Sequence, residues 1–80
     1  MNNSEKLLNV FSNALGIRKD KVNDQLAYQT FPQWDSISHM VLITELEDAF
    51  EIQLNDKDVL QMDTYSNVKS QLQKYNISFD

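Results

Sequence analysis

A single glycine, Gly16, and a single proline, Pro32, interrupt this eighty-residue chain. Gly and Pro are the strongest local breakers of regular structure, so a chain with so few favours a handful of helices over many short strands. Cysteine is absent, which leaves neither a disulfide nor a thiolate-bound metal to staple the fold. One histidine also leaves a multi-His metal site without ligands. A chain of this length buries only about 60% of the surface its unfolded form exposes. Stability must come from an economical apolar core, and helix packing provides that at this size. We expect an all-α fold, one domain over residues 1–80, monomeric.

Twelve acidic and seven basic side chains set a net charge of −5. A phosphate backbone repels such a surface, so nucleic acid is not an expected partner. Proteins with basic patches are favoured instead, through long-range steering. The N-terminal MNNSEK lacks the basic start and apolar run of a signal peptide. No stretch approaches the roughly 20 apolar residues needed to span a bilayer. The expected location is cytoplasmic.

Helical spacing organises the first segment, Ser4 to Leu15, through Leu7, Leu8, Phe11, Ala14 and Leu15. Asn2, Asn3 or Ser4 can cap its start, and Gly16 can end it in a left-handed conformation. Residues 17–34 carry Lys19, Asp20, Asn23, Asp24 and Pro32, which break any long period. Val22, Leu26, Tyr28, Phe31 and Trp34 are scattered among them, so the expectation is a long ordered loop pinned to the core, with a helical turn in it. Asp56 to Met62 reads as a short helix capped by Asn55 or Asp56, and Thr64 or Ser66 caps a last helix to about Tyr75. Val68, Leu72 and Tyr75 are expected to face inward, and Asn76 to Asp80 reads as a frayed tail.

The strongest helix runs from Ser36 to Glu51, with Asp35 and Ser36 both suited to cap it. At about 100° per residue its side chains sort into two faces. One carries Leu42, Ile43, Leu46, Ala49 and Phe50, with His39 at its edge, and reads as a core face. The other carries Ile37, Met40, Val41 and Thr44, then Glu47, Asp48 and Glu51, which is not an ordinary solvent face. Apolar residues beside an acidic cluster suit docking by a partner with a greasy notch ringed by Arg or Lys. The plainer reading packs Ile37 and Val41 under the long loop and leaves the acids solvated.

Trp34-Asp35-Ser36-Ile37 stands where the long loop turns into this helix. A serine there is near solvent and beside the positive helix end, though on its own it reads most simply as a cap. Asp35-Ser36-Ile37, followed in order by Leu42, Leu46-Glu47, Phe50, Ile52 and Asp56-Lys57-Asp58, resembles the acyl carrier protein family. That family's pattern is an Asp-Ser-Leu, a helix ending in Leu-Glu-x-x-Phe-x-Ile, a short acidic helix and a closing helix. The resemblance covers nearly the whole chain, and an ordered set is far more specific than three letters.

The resemblance implies a four-helix bundle of acyl-carrier type, with a long loop after the first helix and a short third helix. It implies a 4′-phosphopantetheine arm on Ser36, within the Asp35-Ser36 motif, transferred from coenzyme A by a phosphopantetheinyl transferase. The arm's thiol would carry acyl groups as thioesters to acyl-loading and acyl-processing enzymes, making the chain a carrier rather than an enzyme. Apolar space near Leu46, Phe50, Val59, Met62 and Leu72 could shelter part of a cargo, although the same residues are needed as core.

Pro32-Gln33-Trp34 stands where the family often has Leu-Gly-x, and Val41 stands where fatty-acid carriers have a Glu. The Trp-Asp-Ser-Ile-x-His form resembles stand-alone carriers of specialised pathways, such as surface polysaccharide or secondary-metabolite assembly. The competing reading is an interaction module of the same fold whose Ser36 is never modified. A hydrolase built on Ser36, His39 and Asp35 is disfavoured, because neighbours in one helical turn do not align as an acid–base–nucleophile chain. Calcium binding at Asp56-Lys57-Asp58 fails for want of the EF-hand Gly and terminal Glu.

Overall fold

Gly16 adopts φ 66°, the left-handed conformation that ends a helix without a Cβ penalty, and its N–H returns to the Ser12 carbonyl. A computed structural model, describing residues 2–79, thus closes the first helix, α1 (Asn3–Leu15), where the sequence places its end. The Asn2 side chain caps its start by accepting from the Glu5 N–H. A 3₁₀ turn (Lys19–Lys21) follows, then α2 (Ser36–Phe50), α3 (Asp56–Leu60) and α4 (Tyr65–Gln73). Among the described residues there is no strand beyond one antiparallel bridge, Ala27 with Thr64. Over the described residues the architecture is all-helical with four α-helices, consistent with an acyl-carrier-type bundle.

α1 packs against α2, and buried Leu7, Val10, Phe11, Leu15, Leu42, Leu46, Met62, Val68 and Leu72 form the centre of the core. The loop between α1 and α2 is held as its apolar residues require, with Val22, Leu26 and Trp34 buried. Its backbone also docks on the start of α4: Tyr28 N–H donates to the Asp63 carbonyl at 2.8 Å and Tyr65 N–H to the Leu26 carbonyl at 3.2 Å. These bonds satisfy polar groups that a buried loop would otherwise strand.

Three sequence expectations change. The chain after α4 is not a frayed tail over residues 76–79: Ile77 is buried, Phe79 meets Phe50 edge-on at 6.2 Å, and the Asn3 side chain donates to the Ser78 carbonyl. Alternate apolar residues Ile77 and Phe79 gain more by burial than the segment loses in entropy. Asp80 lies outside the described residues. Phe50 is half-buried rather than central, at the rim where Lys6 lies over its ring at 5.3 Å. α3 and α4 end at Leu60 and Gln73, short of Met62 and Tyr75. Even so, Met62 is fully buried, and the half-buried Tyr75 turns its hydroxyl to Asp58.

Asp58 itself is the one buried charged residue among those described, and it accepts from both Tyr75 Oη and Lys74 Nζ. Those donors, Tyr75 first, hold its carboxyl below the usual range. It is a tie between α3 and the end of α4, fully engaged by protein donors.

Candidate functional site

Asp35, not Ser36, caps α2: its Oδ1 accepts from the Ser38 N–H at 2.9 Å. That backbone bond is the main reason its carboxyl lies below the usual range. Ser36 is therefore the first helical residue, exposed, with its hydroxyl released from capping. Its Oγ lies 3.1 Å from the Tyr28 hydroxyl, and either can donate.

A network beneath this point ties the loop to two helices. Trp34 Nε1–H donates to His39 Nδ1 at 3.0 Å, which requires a neutral imidazole with its proton on Nε2. The two rings stack at 6.0 Å, and Tyr28 lies 5.1 Å from the His39 ring. Burial pushes the His39 imidazole down, overcoming the Val59 carbonyl and Asp63, which favour the proton. The hydrolase arrangement is not made, because Ser36 meets Tyr28 while Trp34 occupies the ring nitrogen of His39.

The depressed His39 fixes the sign of one pH effect. The unfolded chain protonates its one histidine near the ordinary 6.5, whereas the folded chain resists. The unfolded state then binds more protons, so stability is full above that value and is lost as pH falls through it toward the folded pKa. Urea midpoints should drop between about pH 7 and pH 5, and His39→Gln should flatten that limb. Asp35 and Asp58, held below 3.8, add stability that is present above that value and is lost only at lower pH. A wild-type midpoint flat across that window would contradict the half-buried neutral imidazole.

Of the residues on the second face of α2, Ile37 is 76% exposed, Met40 71% and Val41 41%. They do not pack under the loop; Trp34 takes the buried place instead. Asp48 and Glu51 are exposed, and Glu51 ends the helix with φ 54°. Glu47 is partly withdrawn, accepting from the Leu54 N–H at 2.9 Å, and so helps shape the turn into α3. Leu60 on α3 is also 76% exposed. Its place at the end of a five-residue helix hides it from periodicity.

Two open clefts lie between α2 and α3 and share His39 and Val59. One, about 150 Å³, is lined also by Tyr28, Leu60, Met62 and Asp63. The other, about 300 Å³, runs past Met40, Ile43, Thr44, Glu47, Leu54 and Asp56. Of the residues expected to shelter cargo, only Val59 and Met62 line this space; Leu46 and Leu72 are fully buried core.

A curated protein of Chlorobium phaeobacteroides named acyl carrier protein is 28% identical over 60 residues, covering 75% of this chain and 77% of that protein. The chain is related to the acyl carrier protein family. No family model matches it, and no solved structure does. The order of four helices, with a serine opening the second, accords with that relationship. Tyr28 is the site residue that sequence reasoning missed, because a tyrosine in a loop rich in apolar residues reads as an anchor. Its place eight residues before Ser36, in a loop folded back on α2, was the signal available.

Proposed function

We propose that this chain is an acyl carrier protein that takes a 4′-phosphopantetheine arm on Ser36 and presents acyl thioesters to partner enzymes. The single observation that carries the reading is the state of Ser36: exposed, opening α2, and relieved of capping by Asp35. A serine needed as a cap would lose that bond on esterification, whereas this one loses only its contact with Tyr28. The residues fit the arm, because Oγ is open to a modifying enzyme and a phosphodiester there would lie at the positive end of a fifteen-residue helix. When bound, the arm supplies a thiol on which an acyl group travels as a thioester.

The remaining work falls to the protein surface. Ile37, Met40 and Val41 would seat a phosphopantetheinyl transferase or an acyl-loading or acyl-processing enzyme within a turn or so of the attachment point. Asp48 and Glu51 would steer its basic rim, with Glu47 contributing less because its carboxylate already holds the Leu54 N–H. Replacing Asp48 and Glu51 together with lysine should raise the transferase's KM for the chain several-fold at low salt, with the gap narrowing at high salt. An unchanged KM would count against this face. Glu47→Lys is a poorer test, since it also releases the turn into α3. The setting is a monomeric carrier in the cytoplasm, serving a specialised assembly pathway.

The absence of cysteine makes the reading simple to test. Before modification the chain should titrate no thiol. After incubation with coenzyme A and a broad-specificity transferase, and removal of free coenzyme A, it should titrate one. No thiol, with the transferase active on another carrier, would favour the unmodified interaction module.

A further inference from the structure

We propose that Tyr28 is a positioning residue for Ser36, fixing the serine hydroxyl in one rotamer for transfer of the arm; the inference rests on the carrier reading above. The Tyr28 hydroxyl lies 3.1 Å from Ser36 Oγ. What makes this more than a surface contact is how the tyrosine is held. Its N–H is bonded to the Asp63 carbonyl at 2.8 Å, and its ring packs on Trp34 and His39 with centroids 6.4 and 5.1 Å away. The next residue, Gln29, has φ 66°, a left-handed conformation uncommon for a residue with a side chain, and its N–H closes on the Trp34 carbonyl at 2.9 Å. The phenol is thus anchored from α4's entry, from the core tryptophan and from α2, while Ser36 has no capping bond of its own to fix it.

With Tyr28 as donor, one lone pair of Oγ is occupied and the serine O–H points outward. In the transfer, Oγ bonds to the phosphorus that bears pantetheine, and the pyrophosphate P–O bond of coenzyme A breaks. Its electron pair leaves on adenosine 3′,5′-bisphosphate, and the Oγ proton passes to a base on the transferase. A serine already held in the attacking rotamer loses less entropy at that step.

Tyr28→Phe keeps the ring and removes only the hydroxyl, so its thermal unfolding should match the wild type. Two readouts then decide. The three-bond couplings from Ser36 Hα to its Hβ protons should report a single staggered rotamer in the unmodified wild type and rotamer averaging in Tyr28→Phe. Loading by a broad-specificity transferase should lose roughly three- to tenfold in kcat, the factor one net hydrogen bond supplies, with KM for the chain unchanged. Identical couplings in the two proteins, or an unchanged kcat, would overturn the proposal and leave the carrier reading standing. A wild type that is never loaded, with the transferase active on another carrier, would overturn the carrier reading and this proposal with it.

Discussion

Trp34→Ala is expected to cost about 3–5 kcal/mol, the range for removing a buried tryptophan. Trp34 is fully buried and the largest side chain in the core. It meets Phe11 of α1 edge-on at 5.4 Å, so its loss opens a cavity between the loop and α1. It also donates to His39 at 3.0 Å, so the substitution strips a half-buried imidazole of the partner on its Nδ1. Domains are stable by only about 0.05–0.15 kcal/mol per residue, so at this length the substitution consumes much of the total. Urea denaturation followed by circular dichroism measures it. Trp34→Phe should cost less, since it retains an aromatic ring and loses mainly the hydrogen bond. A loss below about 1 kcal/mol in Trp34→Ala would mean that the loop does not depend on this anchor.

Ser36→Ala should abolish acquisition of the arm completely, because no other atom at that position can form the phosphodiester. The same substitution should leave stability within about 0.5 kcal/mol of the wild type, the usual range for an exposed side chain without a special role. Both halves matter. Asp35 holds the cap and Ser36 is exposed, so the structure gives the serine no task in folding. An unfolded Ser36→Ala protein would make the residue structural after all. Retained loading would place the attachment on another hydroxyl, with Ser38 the nearest serine in sequence.

The helices were legible because their signals are local. Gly16 ends α1 by its backbone freedom, the Asp35 and Asn55 caps are short-range, and the core face of α2 follows from its period. Ser36, the proposed attachment point, was singled out through the ordered motif from Asp35 to Asp58 rather than through any single residue. What stayed hidden depends on contacts distant in sequence. The tail is held by Phe50 and Asn3, from the far end of the chain. The Tyr28–Ser36 contact requires the loop to fold back over α2, and the buried Asp58 requires Lys74 and Tyr75 from α4's end. Periodicity carries no information about such pairings. Of the apolar residues named as shelter for a cargo, Val59 and Met62 line the clefts between α2 and α3, whereas Leu46 and Leu72 are fully buried core.

The most direct measurement is the intact mass of the wild-type chain after incubation with coenzyme A and a broad-specificity phosphopantetheinyl transferase, followed by peptide mapping. The account predicts a gain of one phosphopantetheinyl group, located on the peptide that contains Asp35-Ser36-Ile37. An unchanged mass while the same transferase loads another carrier, or a modification mapped to a different residue, would contradict it.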